Sequence, residues 1–262
     1  MTLFGGMRFL CLSGNVLTTR IGLTSLQARL LSQRLTATHV IFDFDGLLVD
    51  TERCYTIANQ TMLRKYGREY TPEHNAMIIG RSEQEAFTLL LKAVGLEDKL
   101  TPKEYIKQYD VILEDMFLKC KAMPGAEKLV RHLHKKNIPM ALCSGSRGET
   151  FGPRREPHKE WLDLIPLKVF VGDEPTIKRG KPHPDPFLAT MKRFSVKPSD
   201  PSKIIVFEDS PNGGRAALAA GMNCVMVPAD QYRKEALSLG VTQVLHSLEE
   251  FRPEEYGIPP YD

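Results

Sequence analysis

The sequence has no run of apolar residues long enough to cross a bilayer. It also lacks any CxxC pair. Its five cysteines, Cys11, Cys54, Cys120, Cys143 and Cys224, are odd in number and scattered. That pattern argues against a zinc site and a disulfide framework, and favours reduced thiols and an intracellular setting. A dominant charge is missing as well: the net charge is +3, with Lys and Arg mixed among Asp and Glu. No basic face of the kind a nucleic-acid binder needs stands out. Repeats and low-complexity tracts are absent. What is left is a chain of 262 residues, long enough to bury a core, alone or divided between two domains.

One absence is local. Residues 1–42 contain neither Asp nor Glu, but include Arg8, Arg20, Arg29 and Arg34 among Ser, Thr and Leu. An Arg- and Ser-rich, acid-free N-terminus has the composition of a mitochondrial presequence. Residues 25–34 could form a short amphipathic helix with basic residues on its polar side. A disordered extension, or a seldom-used upstream start, is the competing reading. The expected location is cytoplasmic, with mitochondrial targeting by residues 1–37 as the alternative. A secretory signal is disfavoured, because Phe9-Leu10-Cys11-Leu12 is soon interrupted by Ser13, Gly14 and Asn15.

From residue 38 onward, short apolar runs alternate with helical patterns. The runs at 39–42, 139–143, 169–171, 204–207, 224–227 and 241–245 are apolar on both sides and bounded by turn residues. They suit buried strands of a parallel sheet. Helices are predicted between them, one opened by Pro124-Gly125-Ala126-Glu127 and another over 211–220 closed by Gly221. This predicts an α/β doubly wound core, residues 38–50 and 123–262, with its ligand site at the strands' C-terminal ends. Residues 51–122 read as entirely helical: a helix from Thr51 to Tyr66, a second behind the capping box Ser82-Glu83-Gln84-Glu85, and a third opened by Thr101-Pro102. About seventy residues of helix after the first strand is far more than a crossover needs. They are expected to form a helical cap domain over the strand ends.

Four polar clusters follow strand candidates. In Asp43-Phe44-Asp45-Gly46, two carboxylates sit at i and i+2 after an apolar strand. Such charge is costly there unless compensated, and Mg²⁺ prefers carboxylate oxygens. Gly46 lets the chain turn sharply. In Ser144-Gly145-Ser146, a hydroxyl with nearby backbone N–H groups could hold a phosphate oxygen, although such a loop is ordinary by itself. In Gly180-Lys181-Pro182, Lys181 could project its ammonium into the cleft and neutralise phosphate and nucleophile charge; a surface lysine is the alternative. Glu208-Asp209-Ser210-Pro211-Asn212 could merely cap a helix. Together with Asp43 and Asp45, however, it supplies the remaining oxygen ligands for one metal.

The order DxDG, Ser, Lys-Pro, Glu-Asp, each at a strand end, resembles the four motifs of the haloacid-dehalogenase-like superfamily of phosphotransferases. The likeness covers residues 38–262, and the inserted helices resemble the cap of the beta-phosphoglucomutase type. Phrases such as Phe207-Glu208-Asp209-Ser210-Pro211-Asn212-Gly213, Met123-Pro124-Gly125-Ala126-Glu127 and the tail Phe251-Arg252-Pro253-Glu254-Glu255-Tyr256-Gly257 are similar to those of pseudouridine-5′-phosphatases and their insect relatives. The chain departs from them around 144–157, where Arg147, Arg154 and Arg155 occur.

The resemblance implies a Mg²⁺-dependent phosphatase acting on a small phosphorylated metabolite, best pseudouridine 5′-phosphate or a related nucleotide or sugar phosphate. It implies Asp43 as nucleophile forming an aspartyl-phosphate and Asp45 as general acid and base. Lys181 and Ser144 would bind the transferring oxygens. Asp43, Asp45 through its carbonyl, Asp209 and Glu208 would hold the metal. Arg81, in Gly80-Arg81-Ser82, is the expected cap contact to substrate, with an Arg paired to surface acids as the alternative; Gly145 and Asn212 are the other expected substrate contacts. A monomer is expected, with neither nucleic acid nor membrane as partner. The rival functions are a phosphomutase or phosphotransferase, a metal-independent dehalogenase, and a non-catalytic binding module.

Overall fold

The computed structural model describes residues 36–262. The presequence expectation falls almost wholly on residues 1–35, outside the described residues. Six parallel strands form one sheet in the order β3-β2-β1-β4-β5-β6: β1 His39–Phe42, β2 Met140–Ser144, β3 Leu167–Phe170, β4 Ile204–Glu208, β5 Asn223–Met226 and β6 Gln243–Val244. β1 pairs with β2 on one side and β4 on the other, placing Phe42 beside both Leu142 and Phe207. The strand order reverses direction at β1/β4, so the crevice for a ligand lies beyond the C-terminal ends of those two strands.

Both faces of the sheet are covered, which is why its strands read as continuous apolar runs. Val40, Phe42, Leu142, Ile205 and Phe207 point into the larger core with Leu129, Val130 and Leu133 of helix α5 (Ala126–Lys135). Ile41, Ala141, Cys143 and Val206 point the other way, against Phe187 of α8 (Asp185–Arg193) and Ala216 and Ala217 of α9 (Pro211–Ala219). Phe42 stacks on Phe207 at 5.2 Å between ring centres, and Phe207 meets Phe251 edge-on at 4.8 Å. Truncating such a buried ring to alanine costs about 3–5 kcal/mol. Phe251, Tyr256 and Ile258 of the C-terminal tail are buried in this same core, and the Ala37 N–H donates to the Tyr256 carbonyl at 2.9 Å. The tail is therefore structural.

Five helices intervene between β1 and β2; α5 is preceded by α1 Glu52–Arg64, α2 Pro72–Ile78, α3 Glu83–Ala93 and α4 Pro102–Phe117. α1 packs on α4, and α3 on both α2 and α4, around Phe87, Tyr105, Tyr109 and Leu113. Thr101 and Glu104 form a full capping box with Pro102 at the first position, as their spacing predicts. α2 was not evident in the sequence. It is short, and its box uses His74 at the third position instead of Glu or Gln. At α3 only half of the expected box forms. Ser82 Oγ accepts the Glu85 N–H, and Glu85 Oε2 accepts from the Ser82 hydroxyl at 3.0 Å instead of from its N–H, while Glu85 Oε1 accepts the Gly180 N–H at 3.4 Å. That contact ties the inserted helices to the loop carrying Lys181. Two further short helices, α6 Phe151–Arg155 and α7 Lys159–Leu162, follow β2, and α10 (Asp230–Ser238) joins β5 to β6. Among the described residues, no helix is long and apolar enough to cross a membrane.

Candidate active site

Three strand ends and one loop build the site. Asp43 leaves β1 with its N–H bonded to the Phe207 carbonyl (3.0 Å). Glu208 is the last residue of β4 and Asp209 follows it. Lys181 reaches in from the loop before α8: its Nζ lies 2.5 Å from Asp43 Oδ1 and 2.5 Å from Glu208 Oε1, and donates to the Cys143 carbonyl at 3.4 Å. Its ammonium also sits 5.1 Å from the centre of the Phe187 ring. Asp43, Glu208 and Asp209 are all buried, and one carboxylate oxygen from each falls within 4.8 Å of the others. Two glycines make room. At Gly46 (φ +82°), a Cβ would strike the Asp209 carboxylate; at Gly213, one would overlap that of Glu208.

Crowded acid in a low-dielectric setting resists ionisation. Burial pushes the Asp43 carboxyl up to about 8; Lys181 opposes the rise, and the Glu208 and Asp45 charges add to it. Asp209 is displaced upward too, by burial first and then by Asp43 and Glu208. Burial alone would lower the Lys181 ammonium, but Asp43 and Glu208 outweigh it and hold the lysine above its ordinary value. Glu208 Oε2 accepts from the Ser210 N–H (3.3 Å) and hydroxyl (3.1 Å). Its Oε1 touches Lys181 as an ion pair without a directed hydrogen bond, and is otherwise unsatisfied. Three hard oxygen donors with one orphaned oxygen are a donor set that fits Mg²⁺.

Asp45, two residues on, faces a different environment. Oδ1 accepts from Thr51 Oγ1 (2.9 Å), Tyr55 OH (2.8 Å) and Arg154 Nη1 (2.5 Å); Oδ2 accepts from Ser144 Oγ (3.1 Å) and Ser146 Oγ (2.9 Å). Burial would raise this carboxyl, but Arg154 with its hydrogen bond outweighs burial and holds it below its ordinary value. The Asp45 side chain is not part of the three-carboxylate group, so as a metal ligand it has only its backbone carbonyl to offer.

The other expected residues divide. Ser144 is at the site, but its hydroxyl is turned toward Asp45. At Gly145, a Cβ would collide with the Arg81 carbonyl, so glycine permits close approach of the β2 loop to the inserted segment. Arg81 borders the cavity, yet its Nε donates to the Met77 carbonyl (2.9 Å) instead of to surface acids. Asn212 is buried and donates to the Ile79 carbonyl (2.9 Å); it is not among the cavity-lining residues.

The cavity opens between the strand ends and the inserted helices. Asp43, Asp45, Ser144 and Asp209 form its floor. Glu52, Asn59 and Asn75, with Tyr55, Phe87 and Tyr109, come from the inserted helices, and Tyr70 from the loop between α1 and α2. Burial, with the Asp45 charge adding, raises the Glu52 carboxyl to about 7. Arg147, after β2, pairs with Glu83 (2.5 Å) and Asp110 (2.6 Å) of the inserted helices and also with Glu149. Sequence reasoning missed Thr51, Glu52, Tyr55, Ser146 and Arg154. Ser146, two residues beyond Ser144, offered a faint signal, since alternate residues leaving a strand share a side. The rest are placed by the inserted helices and α6, which no spacing in the sequence announces.

Comparisons with known proteins agree with this geometry. The profile described as haloacid dehalogenase-like hydrolase matches residues 40–227. The chain is 42% identical over 224 residues to (DL)-glycerol-3-phosphatase 1, mitochondrial, of Arabidopsis thaliana, covering 86% of this chain and 74% of the relative. It is 39% identical over 224 residues to the probable pseudouridine-5′-phosphatase of Drosophila melanogaster, covering 86% and 95%. Among solved structures, a HAD hydrolase from Entamoeba histolytica superposes with a TM-score of 0.68 at 26% identity, over 84% of this chain and 97% of that one. The beta-phosphoglucomutase of Clostridium difficile shares the fold with a TM-score of 0.71 at 23% identity, over 84% and 97%.

Proposed function

The chain belongs to the haloacid dehalogenase-like hydrolase family and is a phosphomonoester hydrolase, and from that premise we propose that it is a Mg²⁺-dependent phosphatase of small hydroxylated phosphomonoesters. The observation that carries this reading is the Asp43 carboxylate at the end of β1, 2.5 Å from the Lys181 ammonium and grouped with Glu208 and Asp209. Glycerol 3-phosphate is the first candidate substrate, from relatives named glycerol-3-phosphatase at 42% and 39% identity. Pseudouridine 5′-phosphate is the second, from the 39% relative named for it. Residues 51–122 act as the cap, whose Glu52, Asn59 and Asn75 offer hydrogen bonds to substrate hydroxyls.

In this mechanism an Asp43 oxygen bonds to phosphorus as the phosphorus–alcohol oxygen bond breaks, and the departing alkoxide takes a proton from Asp45. Water then gives a proton to Asp45 and attacks the aspartyl-phosphate, releasing phosphate and restoring Asp43. Lys181 stabilises the charge spreading over the transferring oxygens, with Ser144 turning to join it. Mg²⁺, held by Asp43, Glu208, Asp209 and the Asp45 carbonyl, would supply compensating charge for the phosphoryl group. For location, cytoplasm is the reading, and the acid-free N-terminus is what favours mitochondria instead.

Phosphate release across a metabolite panel, with Mg²⁺ and with EDTA, tests the proposal. Asp43→Asn is expected to abolish turnover and leave the fold intact. Equal activity in the two proteins would overturn the nucleophile assignment, and isomerised sugar phosphate without phosphate release would make the protein a mutase.

A further inference from the structure

Arg154 heads the fully buried side chains by volume, although it stands in the short helix α6, outside the four motifs. Every nitrogen of its guanidinium is committed. Nε donates to the Thr150 carbonyl (2.8 Å) and Nη2 to Thr150 Oγ1 (2.6 Å). Nη1 reaches Asp45 Oδ1 (2.5 Å), Tyr55 OH (2.5 Å) and Ser146 Oγ (3.2 Å). The guanidinium carbon lies 5.2 Å and 5.0 Å from the centres of the Phe44 and Phe117 rings. Its anchors come from both the core (Phe44, Ser146, Thr150) and the inserted helices (Tyr55, Phe117).

A buried arginine is a poor device for stability alone, because well-packed apolar residues of similar volume serve as well or better. Among the described residues, the one anion it pairs with is Asp45. Five donors converge on that carboxylate, and four of them are hydroxyls that rotate freely about their bonds. Arg154 is the one rigid, charged member of the set, locked by Thr150 and two rings.

Resting on the reading that Asp45 is the acid and base of a phosphatase, we propose that Arg154 is a positioning residue that fixes the Asp45 carboxylate as the base for hydrolysis of the aspartyl-phosphate. In that step water forms a bond to phosphorus, the bond from phosphorus to Asp43 breaks, and one water proton passes to Asp45. Arg154 touches none of the reacting atoms. It acts by holding the Asp45 carboxylate in a single orientation, through the Nη1 contact and the anchoring of the guanidinium on Thr150.

The test uses acetyl phosphate with Mg²⁺, since its acetate leaving group needs no protonation and only the second step then depends on Asp45. In Arg154→Met, kcat is expected to fall about tenfold to a hundredfold. KM should fall in parallel, with kcat/KM unchanged, as phosphorylated enzyme accumulates in acid-quenched samples. Arg154→Lys keeps the charge without the fork. It should show the same pattern at about threefold to tenfold, and it serves if the Met variant fails to fold. Combining either variant with Asp45→Asn should add little to the loss from Asp45→Asn alone. A fall in kcat/KM without phosphoenzyme, or additive losses in the double variant, would mean that Arg154 only supports the fold. If Asp45→Asn accumulates phosphoenzyme and the Arg154 variants do not, this inference fails alone. If Asp45→Asn itself is without effect, the acid and base reading fails and this one goes with it.

Discussion

Removing the Asp43 charge should stabilise the metal-free protein at alkaline pH while abolishing turnover. Asp43 is buried with Glu208 and Asp209, and its carboxyl is carried from an ordinary value of 3.8 to about 8. Between those values the folded chain holds a proton that the unfolded chain has released. Stability is therefore fully present below about pH 4 and falls as pH rises through about 8. A displacement of that size sets a ceiling of about 6 kcal/mol. Relaxation around the carboxylates, and proton sharing with Asp209, should reduce the observed loss to about 2–4 kcal/mol. Asparagine keeps the shape of Asp43 and can still accept from Lys181, which retains Glu208 as its counter-ion. Urea unfolding in EDTA, followed by the fluorescence of the lone, buried Trp161, measures the difference. At about pH 4, wild type and Asp43→Asn should be equally stable; the gap should open as pH rises, and at about pH 8 the variant should exceed wild type by about 2–4 kcal/mol. Added Mg²⁺ should narrow the gap by stabilising wild type more. A variant no more stable than wild type at the higher pH would refute the reasoning.

The pair Arg147–Glu83 and Arg147–Asp110 joins the β2 loop to the inserted helices at their entrance. Arg147→Ala should raise KM about threefold to tenfold, with a smaller change in kcat and a stability loss of about 1 kcal/mol; steady-state kinetics and thermal melting check both. At Gly213, an added methyl would enter the space of the Glu208 carboxylate. Gly213→Ala is expected to destabilise the fold by about 2–4 kcal/mol, read by urea unfolding, even though alanine favours helix at this position.

Much of the sheet was legible because its strands are buried on both faces. Apolar runs such as 39–42 and 204–207 carry no competing helical period, and the turn residues around them set their limits within a residue or two. β3 was less clear: it begins at Leu167, two residues ahead of the apolar run at 169–171, and Val171 opens a turn after the strand has ended. α2 escaped because seven residues give too little periodicity, and His74 is an unusual capping partner. Among site residues, Asp43, Glu208 and Asp209 converge as their strand-end positions imply, since a parallel sheet delivers such residues to one edge, and Lys181 joins them from the loop before α8 and not from a strand end. Arg81 and Asn212 were chosen for position along the chain. In the structure Arg81 Nε donates to the Met77 carbonyl while the residue still borders the cavity, and the Asn212 amide donates to the Ile79 carbonyl. Arg154 could not be found that way, because only the packing of α6 against the inserted helices turns one of three loop arginines inward.

The two aspartates of the DxDG run show why spacing alone does not assign roles. Asp43 and Asp45 leave the same strand, yet the fold drives one carboxyl up and the other down. On the Asp43 side, three carboxylates face one ammonium, an excess of two negative charges when all are ionised. A divalent cation balances that excess, whereas a second lysine would not. On the Asp45 side, one carboxylate faces one guanidinium and four hydroxyls, so that side is balanced already. Arg154 is committed there and is not available to a phosphate dianion near Asp43. On the proposed mechanism the positive charge for the dianion comes from Lys181 together with a divalent ion, so phosphate and metal should bind more tightly together than either does alone. On the proposed reading the acid-rich side is the one a metal would complete, and the balanced side holds its carboxylate for the proton.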